Sequence, residues 1–214
     1  MRGNPNAETA ALRAAEIAFD QKDYPSSLNY FKKLEEVSQS VENKNIARLG
    51  VLRSSYMLNN ASETIRIAGE IASDPKSTAA MKSEALLNRA KVYVNENKLS
   101  DALKDINAIS IDTRTSIGSE AKYTLAEVYF KLNQLNNAEK EVLDFAKQGT
   151  PHQYWLARSF IVLADVNIQK GDDFQAKQYL LSLQKNYTVK DDIQDKINSR
   201  LSASDARSQQ RVIN

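Results

Sequence analysis

The chain has 214 residues, 42% of them hydrophobic, and 29 Lys and Arg residues against 27 Asp and Glu residues leave a net charge of +2. This balance gives no electrostatic reason to expect a nucleic acid or an anionic membrane as partner. The absence of Cys excludes disulfides, thiolate metal sites and Cys nucleophiles, and only 6 Gly and 4 Pro favour helices over a turn-rich β fold.

Five copies of one pattern follow one another along the chain. Each copy opens with polar or turn-forming residues and continues as an amphipathic helix with a small residue near its start. The copies are KDYPSSLNYF (22–31), NNASETIRIA (59–68), NKLSDALKDI (97–106), NQLNNAEKEV (133–142) and GDDFQAKQYL (171–180). Their small residues are Ser27, Thr64, Ala102, Ala138 and Ala176. Spacings of 36 to 38 residues between them are typical of arrays built from helix pairs.

Each copy belongs to a predicted unit of two antiparallel helices joined by a short polar loop. The five units cover about 8–42, 43–77, 78–112, 116–150 and 151–188, within one array over 1–190. The residues twelve positions before the small ones are Ala15, Leu52, Ala90, Ala126 and Ala164. Because four of these five are also small, the two helices of a unit are expected to cross closely.

Helix boundaries are predicted from Pro and capping residues. Pro75 separates the second unit from the third, and Thr150 is expected to be the N-cap of a helix whose first residue is Pro151. After the fifth unit, apolar residues at helical spacing predict a capping helix over 191–201. The polar residues 202–214 are expected to have no ordered structure.

The paired helices and the small residues at their crossing resemble the tetratricopeptide repeat (TPR) family over roughly residues 9–187. The resemblance implies an all-α, right-handed solenoid whose first helices line a concave groove for protein–protein contact. The period is slightly longer than the usual ~34 residues, and Ala11, Arg48 and Lys122 replace an aromatic residue near the start of the first helix. Longer, irregular repeats of this kind resemble those of bacterial envelope proteins.

Apolar residues recur fifteen and eight positions before each small residue, and a charged residue recurs eleven positions before it. All lie on the first helix of a unit. The candidate groove residues taken from these columns are Leu49, Tyr56, Leu87, Lys91, Val94, Tyr123, Glu127, Phe130, Ile161 and Asp165. Two interpretations stay open: the apolar ones pack between neighbouring first helices, or they line a groove beside charges that orient a partner. The Tyr123 hydroxyl suggests a partly exposed side chain, so Phe130 is expected to matter more for stability than Tyr123.

No residues indicate catalysis or a bound cofactor. His152, the only histidine, has no carboxylate or Cys partner nearby in sequence. The pairs Asp172–Asp173 and Asp191–Asp192 lack the alternating ligands of a Ca²⁺ loop and fit turns or N-caps. RNA recognition would require small polar residues in the lining columns, which here are apolar.

The sequence therefore predicts a non-catalytic scaffold that binds a protein or peptide through an apolar-lined groove, with no nucleic acid, cofactor or membrane insertion. The alternative is a terminal segment of a longer array, with a structural or self-association role in the bacterial cell envelope. Residues 1–6 show no cap pattern, so the N-terminal face is expected to stack on further repeats or on another copy. The family resemblance suggests the periplasm or envelope if a signal peptide lies upstream.

Overall fold

The computed structural model describes the backbone of residues 5–109 and 111–213 and the side chains of residues 6–109 and 111–204. This part of the chain forms eleven α-helices and no β-strand. The helices are α1 Pro5–Asp20, α2 Tyr24–Val37, α3 Val41–Met57, α4 Ala61–Ser73, α5 Ala79–Asn95, α6 Leu99–Asn107, α7 Ser116–Lys131, α8 Leu135–Gln148, α9 Gln153–Lys170, α10 Asp173–Asn186 and α11 Asp192–Ile213. The predicted all-α solenoid of five helix pairs followed by one further helix is confirmed.

The helices form two compact units, Met1–Ser110 and Ile111–Asn214, a division that the repeat columns did not indicate. In the first unit each odd-numbered helix packs on the even-numbered helix that follows it, and α2 and α4 also pack on the next pair. In the second unit α7 pairs with α8 and α9 with α10, and α11 packs on α9 and α10. None of the described helices is long and apolar enough to cross a membrane.

The turn inside each helix pair has the same backbone geometry in all five pairs. One residue per turn has a positive φ, between 54° and 85°. These residues are Lys22, Asn59, Asn97, Asn133 and Gly171. The amide of the next residue bonds a carbonyl five residues back, as from Asp172 to Asn167 at 2.9 Å. This is a Schellman motif, in which a left-handed residue satisfies the last carbonyls of a helix.

The residue after the left-handed one begins the second helix of the pair as its N-cap. The side chains of Asp23, Asn60 and Asp172 each accept a hydrogen bond from a backbone amide three residues on. Lys98 and Gln134 hold the same position without a side-chain cap. The repeated sequence copies therefore encode a left-handed turn, a helix start and a buried small residue in one continuous stretch.

The small residues are buried where the helices of a pair cross. The five small residues of the second helices are at most 2% exposed, and all five residues twelve positions earlier are fully buried. In the first pair the Ser27 hydroxyl lies 3.2 Å from the Ala15 carbonyl, to which it donates. The same oxygen lies 3.1 Å from the Ser54 hydroxyl of α3. These contacts require helices that approach closely, which larger side chains would prevent.

The predicted start of the first helix in the fifth repeat, α9, is wrong by two residues. α9 begins at Gln153 after His152, and Pro151 lies outside the helix. Thr150 does not cap the helix. Its hydroxyl lies 2.8 Å from that of Ser119 and accepts from the His152 amide at 2.9 Å. These two contacts fix Thr150 in the turn before the helix and leave the helix to start later.

The last helix is longer than predicted. α11 continues to Ile213, so the segment 202–214 is helical over its described residues; residue 214 lies outside them. No Gly or Pro interrupts residues 192–213, and most of these residues are adequate helix formers. The start of α11 is fixed by the buried side chains of Ile193 and Ile197, which pack on the core formed by α9 and α10. A helix anchored in this way can propagate into a polar segment.

Candidate protein-binding surface of the first helices

The candidate groove residues of the first unit divide into core residues and surface residues. Leu87 and Val94 of α5 are buried, at 2% and 9% exposed. Leu49 and Tyr56 of α3 and Lys91 of α5 are partly buried. Only the last three can contact a partner without a change in the fold.

The second unit shows the same division. Tyr123 of α7 and Ile161 of α9 are buried, at 6% and 4% exposed. Glu127, Phe130 and Asp165 are partly buried. The burial of Leu87, Val94, Tyr123 and Ile161 favours the interpretation in which the apolar columns pack the helices together, and their place in a binding surface stays a prediction.

Several residues of the charged column contact an opposite charge or an aromatic ring within their own unit. Arg53 of α3 donates two hydrogen bonds to Glu84 of α5, at 2.5 and 2.8 Å, and these bonds raise the pKa of its guanidinium. The Lys91 ammonium lies 4.6 Å from the centre of the Tyr56 ring.

In the second unit, Arg200 of α11 makes a bidentate pair with Asp165 of α9, with both distances 2.7 Å. Arg53, Lys91 and Asp165 are thus engaged by groups of their own unit. They join neighbouring helices, whereas the sequence suggested that this column orients a partner.

Tyr123 is enclosed by groups that the sequence columns did not place beside it. Its ring stacks on Trp155 of α9 with the ring centres 5.6 Å apart. The Arg158 guanidinium lies 4.7 Å from the ring centre and donates to the Tyr123 hydroxyl at 2.6 Å. Burial raises the pKa of this hydroxyl. The expectation that Tyr123 is partly exposed to water is wrong, because its hydroxyl is paired with Arg158 and excluded from solvent.

A pocket of about 450 Å³ lies between the first helices α1 and α3 of the first unit; we call it the α1–α3 pocket. Its floor is apolar and comes from three helices. The floor residues are Phe19, Phe31, Ile46, Leu49 and Gly50. Its rim is charged and consists of Glu16 and Asp20 on α1 and Arg53 on α3. An apolar cavity with a few charged groups at its edge is typical of sites that hold a side chain of a partner.

Sequence reasoning found only part of this pocket. Leu49 was in the candidate set, and Phe19 and Glu16 belong to the same repeat columns, whereas Phe31, Ile46, Gly50 and Asp20 lie outside those columns. The pocket depends on how α1, α2 and α3 pack, which a helical period alone does not specify. The feature of the sequence that points to a charged rim is the pair Glu16 and Asp20, which stand four residues apart on one face of a helix.

A second cavity, of about 210 Å³, lies between α9 and α10 of the second unit and is lined mainly by apolar side chains. Its lining includes Leu156, Phe160, Tyr179 and Leu183. In the α7–α8 pair, Lys122 stands at the repeat position of Phe160 and donates to Glu141 at 2.5 Å and to Asp144 at 2.6 Å. This cavity is formed between the two helices of one pair and does not belong to the surface of the first helices.

The polar residues considered for catalysis have structural contacts. His152 is the N-cap residue of α9, and its Nε2 atom lies 3.2 Å from the Arg114 carbonyl. Asp172 caps α10. Asp191 accepts hydrogen bonds from the Tyr187 hydroxyl and the Ile193 amide. Over the described residues, no group of three or more His, Asp and Glu is placed to hold a metal ion.

Solved structures with the same helix arrangement decide the fold type. A MamA structure (residues 41 to the end) from Desulfovibrio magneticus RS-1 superposes with a TM-score of 0.66 at 12% identity, covering 86% of this chain and 96% of that one. The fold is of the TPR type. Another MamA structure gives a TM-score of 0.63 at 13% identity, covering 85% and 92% of the two chains. A structure of TPR-like repeats from a Podosopora anserina putative kinesin light chain gives 0.62 at 12%, covering 84% and 92%.

These likenesses concern the TPR-type fold alone, because identities of 12–13% do not carry a function from one protein to another. No family model matches the sequence, and no curated protein is similar to it. The function of this TPR-type array has to be argued from its own surface.

Proposed function

We propose that the chain is a non-catalytic scaffold that binds a partner polypeptide on its first helices, with an apolar side chain of the partner in the α1–α3 pocket. The observation that carries this proposal is the apolar floor of that pocket, which the Phe19, Phe31 and Leu49 side chains line without filling its 450 Å³. A buried side chain of a partner would remove this apolar surface from water, which is the main source of affinity in such contacts.

The first unit is favoured as the location because the first helices of the second unit are covered by their own side chains. Arg158 and Trp155 lie on Tyr123, and Arg200 of α11 pairs with Asp165. A partner would have to displace these contacts to reach α7 and α9. The α1–α3 pocket needs no such displacement.

A selection from a random peptide display library tests the proposal. Peptides selected on the wild-type protein are expected to lose most of their affinity for a Leu49→Gln variant, because a polar amide would then stand in the apolar floor. Tyr30→Gln is the control, since Tyr30 of α2 is an exposed aromatic residue that does not line the pocket. Circular dichroism would establish that both variants are folded.

A second pocket variant makes the test independent of how Leu49→Gln folds. Phe19→Ala removes a ring from the floor and is expected to weaken the same peptides. Selected peptides that bind both pocket variants as tightly as the wild type would overturn the proposal, and so would a selection that yields no pocket-dependent peptide.

Self-association through the N-terminal face is a second candidate, in line with a structural role in a longer array and, from the family resemblance, in a bacterial envelope. Ile17 of α1 is 57% exposed, whereas its repeat equivalents Ser54 and Val166 are fully buried by neighbouring helices of their own units. Sedimentation of the wild type against Ile17→Lys would test it. Concentration-dependent association that the substitution abolishes is the expected result, and a wild type that stays monomeric would contradict it.

A further inference from the structure

We infer that the α1–α3 pocket selects a partner segment in which a Lys or Arg stands next to a large apolar residue. This inference rests on the proposed function, because it specifies the chemistry of the polypeptide that the pocket would bind. It follows from three features of the rim: its net charge, the position of its carboxylates on α1, and their place beside the apolar floor.

The rim has a net negative charge. Glu16 and Asp20 line it, and Arg53 is the one cation among the described residues of the lining. Arg53 already donates hydrogen bonds from Nε and Nη2 to the two oxygens of the Glu84 carboxylate. Three carboxylates against one guanidinium leave these four groups with a net charge of −2 at neutral pH. A cationic group of a partner would therefore be attracted to this edge of the pocket.

Neither of the two rim carboxylates, Glu16 and Asp20, has a cationic partner among the described residues. Glu16 and Asp20 make no ion pair with any described residue, and neither Arg13 nor Lys22, the nearest cations along the chain, lines the pocket. Like charges four residues apart on a helix repel each other. Asp20 is also the last residue of α1, where the helix dipole disfavours a carboxylate, and the last turn contains no basic residue. A bound cation would relieve both unfavourable interactions.

The apolar floor begins directly beside these carboxylates. Phe19 contributes to the floor from a position on α1 between Glu16 and Asp20. A residue inserted against Phe19 would hold its sequence neighbour near the carboxylates. Lys and Arg also carry aliphatic stems that pack on apolar surface while their charged ends remain in water. An apolar residue adjacent to a basic one fits both parts of the pocket.

The display selection described above provides the test when its peptides are sequenced. Peptides that depend on the pocket are expected to be enriched in Lys or Arg next to Leu, Ile, Met, Phe or Trp. The tightest of them is then titrated against the double variant Glu16→Gln/Asp20→Asn. Its affinity is expected to fall about three- to tenfold, the size that two partly exposed ion pairs supply. Added NaCl should reduce the wild-type affinity towards that of the variant.

A charge-matched control separates local attraction from the effect of net charge. Glu36→Gln/Glu42→Gln removes the same number of carboxylates from exposed positions of α2 and α3 outside the pocket, and should leave the affinity unchanged. The Glu16→Gln/Asp20→Asn protein should melt at the same or a higher temperature than the wild type, because repulsion on α1 is removed. If the Glu16→Gln/Asp20→Asn protein binds the peptide more weakly but is as stable as the wild type, the two carboxylates act in binding and not in folding.

The possible outcomes distinguish this inference from the proposal beneath it. Peptides that depend on Leu49 but show no enrichment in basic residues, or bind Glu16→Gln/Asp20→Asn normally, would overturn the inference and leave the proposed function intact. Peptides that do not depend on Leu49 or Phe19 would overturn both.

Discussion

Gly50 of α3 lies against the ring of Phe31 of α2 so closely that a Cβ atom at position 50 would be 2.3 Å from two ring atoms. Phe31 is itself buried and has little room to move. The two residues therefore set how near α3 approaches α2, and with it the width of the α1–α3 pocket, to which both contribute.

The Gly50→Ala substitution tests this contact. Ala favours a helix interior over Gly by about 1 kcal/mol, but here the added methyl group would force α2 and α3 apart. We expect a net loss of about 1–3 kcal/mol in the free energy of unfolding, as for overpacked cores. Urea denaturation measures it.

Gly69→Ala in α4 is the matched control, since a Cβ there would meet only one terminal nitrogen of the Arg89 side chain, at 3.3 Å. It is expected to be neutral or to stabilise by up to about 1 kcal/mol. Equal losses from the two substitutions would show that the Phe31 contact is not what requires glycine at position 50.

Lys22 is the one long side chain among the five left-handed turn residues, with a φ of 61°. Asn tolerates this conformation better than Lys. Lys22→Asn should therefore raise the free energy of unfolding by about 0.5–1 kcal/mol, and the melting temperature by a few degrees. The converse substitution, Asn97→Lys, should lower stability by a similar amount. Thermal melts of both variants that coincide with the wild type would contradict the assigned turn geometry.

Tyr123 should matter more for stability than Phe130, the reverse of the order expected from the sequence. Tyr123→Ser leaves a cavity beside Trp155 and an unpaired Arg158 donor, and is expected to cost about 3–5 kcal/mol. Phe130 is only partly buried, so Phe130→Ser should cost less. Tyr123→Phe retains the ring and should lose about 0.5–1.5 kcal/mol with the hydrogen bond. Guanidinium chloride titrations of the three variants measure this order.

The Glu63 carboxylate should contribute to loss of stability in acid. Hydrogen bonds from Arg66 lower its pKa from 4.5 to about 2 in the folded protein. Because the folded pKa lies below the unfolded one, the stabilisation is complete above about pH 4.5 and is lost as the pH falls towards 2. Glu63→Gln should therefore lower stability at neutral pH and make it less dependent on pH in this window. Parallel curves of melting temperature against pH for the two proteins would refute this.

The repeat columns predicted the helix pairs because each of the five copies has a small residue at the same place. A close crossing such as that at Ala138 is a local consequence of side-chain size. A residue with a positive φ stands five positions before each small residue. The sequence pattern does not show this at the first copy, because Lys22 is not a residue type typical of turns. A side-chain hydrogen bond caps the second helix in only three of the five pairs.

The binding surface was less predictable, for a physical reason. Whether a residue of a first helix is core or surface depends on the neighbours that other helices bring to it. Tyr123 is buried because Trp155 and Arg158, more than thirty positions away in the sequence, fold over it. The α1–α3 pocket depends on a contact between Phe31 and Gly50, and no other copy has Phe or Gly at these two repeat positions.

The five turns also bear on how the chain reaches its native state. Every hydrogen bond that closes a turn joins residues no more than five positions apart, so a helical hairpin can form from local information. Contacts of short sequence separation lower the contact order, and chains of low contact order fold quickly. Since the same turn is present in both compact units, nucleation does not depend on one particular hairpin. A substitution that abolishes one turn should therefore redirect the folding pathway through another hairpin and leave the folding rate nearly unchanged.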